Sequence, residues 1–335
     1  MVKRSLRIVV IIVLSIAALA TIFFIKRTAD ILYVRQHWKV IKQPADSTAW
    51  VHFDWGSDSI SGRRVEKSAM FITIKMDDMT NKYYCQFDLG SNTRLYENNL
   101  KPYFHHYPGF AGKVKMHRHQ SYLDNLEIEL GGQRIQADKV ELMKDYGDQI
   151  ENEKEVLADT TNAYQAGTIG ADICAGRVLI IDYPRQRLCV TDSVPAVYRR
   201  CSFYDCSINI LGYVIIPVRV NGRIYQVLFD TGSSMFELLT YTGEIDEFST
   251  EPNDDSLVIN AWRKKRKIVG RPMKDAISFA GHSYLNTRIY ADSTSGVELI
   301  FLRQLLHMDI TTGNALFLNN TVIIDFKNRK MAVIY

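Results

Sequence analysis

The 335-residue sequence predicts a mainly β protein with two similar lobes, preceded by one N-terminal transmembrane helix. Three observations predict this fold class: an uncharged apolar run near the N-terminus, a set of residues repeated at one constant interval, and short apolar runs paired around polar turns. The composition, 47% hydrophobic and 23% charged, is typical of a folded globular chain. A formal net charge of +4 is modest, so no nucleic-acid partner is expected.

The predicted transmembrane helix covers residues 8–25, 18 residues without a charge. A helix of that length spans ~27 Å, about the hydrocarbon thickness of a bilayer. Three of the first seven residues are basic, which favours a cytoplasmic N-terminus and an exported body, although the basic residues 26–27 weaken this orientation. The alternative is a cleaved signal peptide with its site near residues 18–20. A retained anchor is favoured because the apolar run continues beyond that site.

The chain repeats itself over its C-terminal four-fifths. Residues 170–182 and 313–325 both run from a glycine to Ile-Ile-Asp, and an aromatic residue follows each. Upstream, residues 87–91 read Phe-Asp-Leu-Gly-Ser and residues 229–233 read Phe-Asp-Thr-Gly-Ser. The interval between the two copies is 142 or 143 residues at every landmark. Matched landmarks at one interval indicate a duplicated unit.

Each copy is predicted to begin with a β-hairpin. Residues 70–76 and 83–87 flank a polar turn, and residues 214–220 and 224–229 flank Asn221-Gly222, a strong hairpin signal. The second strand of each hairpin therefore ends at Asp-x-Gly-Ser. A short helix is expected after the later glycine of each copy.

The predicted organisation has five segments. In order, these are a membrane anchor (residues 1–27), a stalk or extension (28–66), lobe 1 (67–191), a connector (192–212) and lobe 2 (213–335). The basic run at residues 263–267 is interpreted as the solvated surface of a hairpin. The five cysteines show no spacing typical of a metal site.

An apolar strand followed by Asp-Thr-Gly-Ser, as in residues 227–233, resembles the active-site signature of aspartic peptidases of the pepsin and retropepsin type. One such triplet is weak evidence, because ordinary turns favour the same residues. The duplicated partner strengthens the resemblance, which extends over about residues 68–335. It implies an acid-protease fold, in which two β-barrel lobes form a single-chain version of the retropepsin dimer.

The resemblance implies an endopeptidase whose catalytic pair is Asp88 and Asp230. Two carboxylates held close together share one proton, and the ionised member activates a water that attacks the peptide carbonyl. No metal or other cofactor is expected. In the family, serines donate to the carboxylates, threonines bond to the partner lobe, and later glycines close loops beneath the aspartates. Here these supporting positions are Gly90, Ser91, Thr231, Gly232, Ser233, Gly170 and Gly313.

A flap, a glycine-tipped hairpin over the cleft, is also implied by the resemblance. Its predicted tip is Gly109, Phe110, Ala111 and Gly112, which begins 21 positions after Asp88. Residues 258–262 are the candidate for a matching hairpin in the second copy.

The sequence departs from the family pattern at Leu89, where a threonine or serine is expected. Half of the hydroxyl contact between the lobes is therefore missing, and Thr311-Thr312 replaces an apolar pair before Gly313. A second function remains open on this ground: a catalytically inactive peptide-binding or sensor protein.

The expected partners are a peptide or protein substrate and, through the N-terminal helix, a membrane. A monomer is expected because both lobes lie in one chain. The anchor and the resemblance together predict a membrane-bound protein with an exported catalytic region in the cell envelope, facing the periplasm.

Overall fold

The computed structural model describes residues 37–43, 49–158, 165–294 and 305–335, together with Ser15 and Arg303. Apart from Ser15, the predicted anchor at residues 8–25 lies outside these ranges. Within them, no helix combines the length and the apolar character needed to cross a bilayer.

The mainly β prediction is confirmed, and the described strands form two sheets. The strands of the N-terminal half are β1 Trp38–Lys42, β2 Val51–Ile60, β3 Arg63–Met76, β4 Tyr83–Asp88, β5 Arg94–Tyr96, β6 Val114–His117, β7 Gln120–Leu130, β8 Gln133–Met143, β9 Gln165–Gly170, β10 Val178–Asp182 and β11 Arg187–Thr191. Those of the C-terminal half are β12 Tyr204–Asp205, β13 Ser207–Ile208, β14 Val214–Val220, β15 Arg223–Phe229, β16 Leu238–Tyr241, β17 Asp255–Ala261, β18 Lys264–Pro272, β19 Ile277–Phe279, β20 His282–Tyr284, β21 Arg288–Asp292, β22 Ile310–Thr312, β23 Thr321–Asp325 and β24 Lys330–Ile334.

The described helices are few and short. The α-helices are α1 Glu97–His106, α2 Pro108–Ala111 and α3 Glu153–Ala158. A 3-10 helix follows the later glycine of each copy, at Ala171–Cys174 and Asn314–Phe317, where the sequence predicts a short helix. Further 3-10 turns lie at Ala196–Tyr198, Thr231–Ser233 and Ile245–Glu247.

The two halves of the chain share one strand order. In lobe 1 the order is β3-β4-β9-β5-β8-β7-β6, and in lobe 2 it is β14-β15-β22-β16-β21-β18-β17. In each lobe the aspartate-bearing strand pairs in parallel with the strand leading to the later glycine, β4 with β9 and β15 with β22. The repeated sequence landmarks therefore occupy matching positions in the two sheets.

The lobes are joined through β10 and β23, which pair antiparallel. Ile180 lies opposite Ile323, Val178 opposite Asp325, and Asp182 opposite Thr321. In the repeat, each residue of β10 is equivalent to the residue 143 positions later in β23. Val178 is thus equivalent to Thr321, Ile180 to Ile323 and Asp182 to Asp325, so the repeat relates the first outer pair to the second. This register places an approximate two-fold axis between the two isoleucines.

The described part of residues 28–66, the segment predicted as a stalk or extension, contributes strands that pair with lobe 1. Strand β1 pairs with β8, and Trp38 Nε1 donates to Asp172 Oδ2 at 2.5 Å. Strand β2 pairs with β3, and Phe53 is fully buried in the core. Apolar residues alternate with polar ones at the start of β2, so this strand buries one face against lobe 1. The connector likewise contributes β12, paired with β24, and β13, paired with β14.

Candidate active site

Each lobe ends its aspartate-bearing strand in a tight loop that turns back on the carboxylate. Gly90 N donates to Asp88 Oδ1 at 2.9 Å, and Gly232 N donates to Asp230 Oδ1 at 2.8 Å. The two loops therefore use the same backbone contact to orient their carboxylates.

The two carboxylates face each other across the approximate two-fold axis. A Cβ added to Gly90 would lie 2.4 Å from Asp230 Cγ, and one added to Gly232 would lie 2.6 Å from Asp88 Cγ. Each carboxylate thus occupies the space that a side chain on the opposite loop would need. Glycine is required at both positions because the carboxylates approach the opposite backbone so closely.

The later glycines close against the aspartate loops from below. A Cβ on Gly170 would lie 2.3 Å from Ser91 O, and a Cβ on Gly313 would lie 2.0 Å from Ser233 O. Gly170 N also donates to Thr93 Oγ1 at 3.0 Å. Gly170 and Gly313 therefore both pack against the backbone of an aspartate loop.

The hydroxyl groups after the glycines differ between the lobes. Ser233 Oγ donates to Asp230 Oδ2 at 2.8 Å, as expected. Ser91 Oγ instead donates to Asn92 O at 2.9 Å, so the expectation of a matching donor to Asp88 is wrong. The short residue Ser91 satisfies its hydroxyl on the neighbouring backbone, a common local alternative. Asp230 therefore accepts two hydrogen bonds within its loop, and Asp88 accepts one.

The contact that joins the two loops is made from one side. Thr231 Oγ1 donates to Phe87 O at 2.9 Å and accepts from Leu89 N at 2.9 Å. Thr231 and Leu89 are both fully buried, and the Leu89 side chain packs in the main hydrophobic core. One hydroxyl of lobe 2 thus holds two backbone groups of lobe 1. Leu89 has no hydroxyl to make the equivalent contact with lobe 2, and its side chain contributes apolar packing instead.

Asp88 is buried, and its pKa is raised well above the usual aspartate value. The largest cause is desolvation, followed by the charge of Asp230 and a hydrogen bond with that side chain; the Gly90 amide and the more distant Arg94 oppose the shift. Burial beside a second carboxylate disfavours the charged form. The protonated form of Asp88 is therefore favoured by its surroundings.

The pair lies at the floor of a cleft of about 690 Å³ between the lobes. The lobe 1 side of the cleft includes Tyr96, Tyr146 and Gln165, and the lobe 2 side includes Met235, Phe236 and Leu239. A cleft of this size with two facing carboxylates at its base can hold an extended peptide.

The predicted flap tip is wrong. Gly109, Phe110 and Ala111 lie in helix α2, and Gly112 caps it. Proline at the first helical position favours that helix. Phe110 is buried and packs on Phe104 with ring centroids 5.2 Å apart. These four residues are outside the set that lines the cleft.

The cleft is covered from lobe 2 by the β17–β18 hairpin, called here the lobe-2 hairpin. Its tip is Trp262-Arg263, and both residues have positive φ angles, 50° and 63°. Residues 259–263 of this hairpin line the cleft. The hairpin includes residues 258–262, the sequence candidate for a flap hairpin in the second copy. Left-handed conformations are costly for residues with a side chain, which marks this tip as strained.

A second hairpin, β2–β3, also lines the cleft, through residues that include Gly56, Ser68 and Phe71, and is called here the lobe-1 hairpin. The sequence interpretation missed it, although two strand-like runs around Ser61-Gly62 are visible in the sequence. Its end crosses to lobe 2, where Arg63 forms an ion pair with Asp255 at 2.5 Å. Ser61 Oγ accepts from Val258 N at 2.9 Å, so the two hairpins touch.

The described residues contain no cluster of three or more His, Cys, Asp or Glu side chains arranged to hold a metal ion. No protein-family model matches the sequence, and no curated protein sequence matches it. Function is therefore inferred from the geometry of the two aspartate loops and the cleft above them.

Proposed function

We propose that this protein is an aspartic-type endopeptidase of the pepsin and retropepsin kind, with Asp88 and Asp230 as its catalytic pair. In this proposal each sheet closes into a β-barrel lobe of the acid-protease fold. The observation that carries the proposal is the facing of the two carboxylates, each packed against the glycine of the opposite loop. Ordinary Asp-x-Gly turns need no such partner, because a single loop already satisfies their backbone.

The asymmetry of the loops assigns the resting proton. Asp88 has the raised pKa and a single donor within its loop, so it holds the shared proton. Asp230 accepts from Gly232 N and Ser233 Oγ, contacts that favour a carboxylate acting as acceptor only. In the proposed resting state Asp88 is the acid and Asp230 is the base.

The proposed reaction needs only water and these two groups. Asp230 takes a proton from a water between the carboxylates, and the water oxygen bonds to the peptide carbonyl carbon. Asp88 donates its proton to the carbonyl oxygen as negative charge develops there. Asp230 then returns a proton to the peptide nitrogen as the carbon–nitrogen bond breaks, and Asp88 recovers the proton of the hydroxyl. The products are a carboxylic acid and an amine.

Leu89 is compatible with this chemistry because the proton transfers involve carboxylates and backbone groups. The register of the two loops is held by the paired contacts of Thr231 Oγ1. The missing hydroxyl changes the strength of the inter-lobe contact and leaves both carboxylates in place.

The test is cleavage of a mixed peptide library by the full-length protein from acid to neutral pH. Asp88→Asn and Asp230→Asn should each lower kcat/KM by about 10²–10⁴-fold, the usual contribution of a general acid or base. The matched control is Asp78→Asn, since the Asp78 side chain is 99% exposed and outside the cleft. Cleavage that persists in both active-site variants would contradict the proposal.

The second candidate is a peptide-binding protein without catalytic activity. The contact of Ser91 Oγ with Asn92 O favours it, because lobe 1 lacks the hydroxyl donor that lobe 2 retains. A folded wild-type protein that binds peptides in the cleft and cleaves none at any pH would establish this candidate.

The membrane anchor and the cell-envelope location stay predictions. Residues 8–25 lie outside the described ranges apart from Ser15. We propose a monomer, because one chain supplies both aspartate loops. Sedimentation of the active protein, with and without residues 1–27, would test both statements together.

A further inference from the structure

The loop after β8, residues 145–148, holds an arginine from the opposite lobe. Arg263 Nη2 donates to Asp145 O at 2.7 Å and to Gly147 O at 3.3 Å. Its guanidinium carbon lies 4.3 Å from the centre of the Tyr146 ring. Two carbonyl oxygens and one aromatic face thus converge on a single cation, a combination that recognises guanidinium groups.

The 145–148 loop is held in shape by contacts that do not involve Arg263. Asp148 N donates to Asn99 Oδ1 at 2.6 Å, and Asn99 Nδ2 donates to Gln165 O at 3.0 Å. Asn99 is buried, and a Cβ on Gly147, whose φ is 104°, would lie 2.0 Å from Asn99 Oδ1. Asp145 N donates to Glu97 Oε2 at 2.8 Å. The two acceptor carbonyls are therefore positioned by lobe 1 itself.

The arginine that occupies the loop is placed where it can leave. Arg263 is exposed at the tip of the lobe-2 hairpin, and its φ and that of Trp262 are positive. Backbone strain of this kind is released when the tip changes conformation. Trp262, 44% exposed, lies 5.1 Å from the Arg94 guanidinium carbon and 6.2 Å from the Tyr146 ring. The tip is thus attached to lobe 1 through side chains at its end.

We infer that the 145–148 loop is a substrate subsite for a cationic side chain, arginine before lysine, and that Arg263 fills it when the cleft is empty. This inference rests on the proposed function. Tyr146, Gly147 and Asp148 line the same cleft as the catalytic pair, so a bound peptide can reach the loop. A substrate arginine makes the contacts that Arg263 makes and displaces it. A substrate without a cation must displace Arg263 with no replacement.

Cleavage of paired peptides tests this subsite. The wild-type protein should cleave peptides with arginine at one fixed position about tenfold better than the alanine versions, with lysine between them. Arg263→Ala should raise kcat/KM for both peptides by the same factor, because neither then has to displace the arginine. Tyr146→Ala should weaken the arginine preference, because the aromatic face is lost while the two carbonyl oxygens remain. Lys265→Ala is the control, since Lys265 is exposed on the same hairpin and outside the cleft.

Binding to the full-length Asp230→Asn variant separates this inference from the proposed function. An arginine peptide should change the Trp262 fluorescence as the tip leaves lobe 1, and the alanine peptide should produce this change only at higher concentration. Trp262→Phe removes the signal, and Arg263→Lys, with a cation of different shape, should bind the arginine peptide more tightly than the parent does. This result supports the subsite even if the wild-type protein cleaves nothing. Cleavage without an arginine preference, unaffected by Arg263→Ala, overturns the subsite and leaves the peptidase standing.

Discussion

The loops after β4 and β15 carry the same aspartate and glycine but differ in their hydroxyl groups. In lobe 2, Thr231 bonds across to lobe 1 and Ser233 bonds to Asp230. In lobe 1, Leu89 packs in the core and Ser91 bonds to the backbone of Asn92. The two copies therefore retain what both need, the carboxylate and the glycine that admits its partner. They have diverged at the hydroxyl contacts, of which that of Thr231 joins both loops and that of Ser233 serves Asp230 alone.

Substitution of Gly90 and Gly232 tests the feature that the two lobes share, a glycine packed against the opposite carboxylate. Gly90→Ala and Gly232→Ala each place a Cβ within 2.7 Å of the opposite carboxylate. Each should lower kcat/KM by about 10²-fold or more, because a displacement of ~1 Å at the reacting groups has that effect. Gly109→Ala and Gly243→Ala are matched controls, since a Cβ at either position meets nothing within 4 Å. Equal activity in all four variants would remove the argument that the carboxylates face each other.

Thr231 tests the one-sided contact between the lobes. Thr231→Val leaves Phe87 O and Leu89 N buried without a partner, which should lower the free energy of unfolding by about 2–4 kcal/mol. Thr231→Ser keeps the hydroxyl and should lose less. Urea unfolding of the full-length protein gives both values. A valine variant as stable as the serine variant would show that the contact does not hold the loops.

The raised pKa of Asp88 predicts how stability depends on pH. Because its pKa is higher in the folded than in the unfolded protein, its stabilising effect is complete below the unfolded value and is lost as the pH rises through the folded value. At neutral pH, Asp88→Asn should therefore raise Tm by about 1–2 °C, equivalent to ~1 kcal/mol for a chain of this length. The difference should vanish in acid. A Tm difference independent of pH would show that Asp88 is not the buried acid.

The two serines should give the smallest and most unequal effects. Ser233→Ala removes a donor to Asp230 and should lower kcat/KM by about tenfold, the value of one charge-assisted hydrogen bond. Ser91→Ala removes only a contact with Asn92 O and should change kcat/KM less than twofold. Steady-state kinetics on one peptide measure both. Equal losses would show that Ser91 turns to Asp88 when substrate binds.

The position of the flap is the feature that sequence spacing predicted wrongly. The count from Asp88 pointed to Gly109, but Pro108 begins a helix there and Phe110 is drawn into the core. The lobe-2 hairpin and the lobe-1 hairpin both line the cleft, and the first strand of the lobe-1 hairpin comes from the segment predicted as a stalk or extension. Spacing gives only the distance along the chain. Which hairpin lies over the cleft depends on how each lobe packs.

The sequence by itself determined that two aspartates end matching strands, each followed by a glycine, because turn chemistry is local and the duplication repeats it. It also determined the mainly β architecture and the short helix after each later glycine. Only the tertiary structure decided which serine reaches its carboxylate, which aspartate is buried with a raised pKa, which hairpins line the cleft, and that residues 38–42 and 51–60 contribute strands to lobe 1. Each of these depends on burial or on contacts between residues far apart in the chain, which no local pattern records.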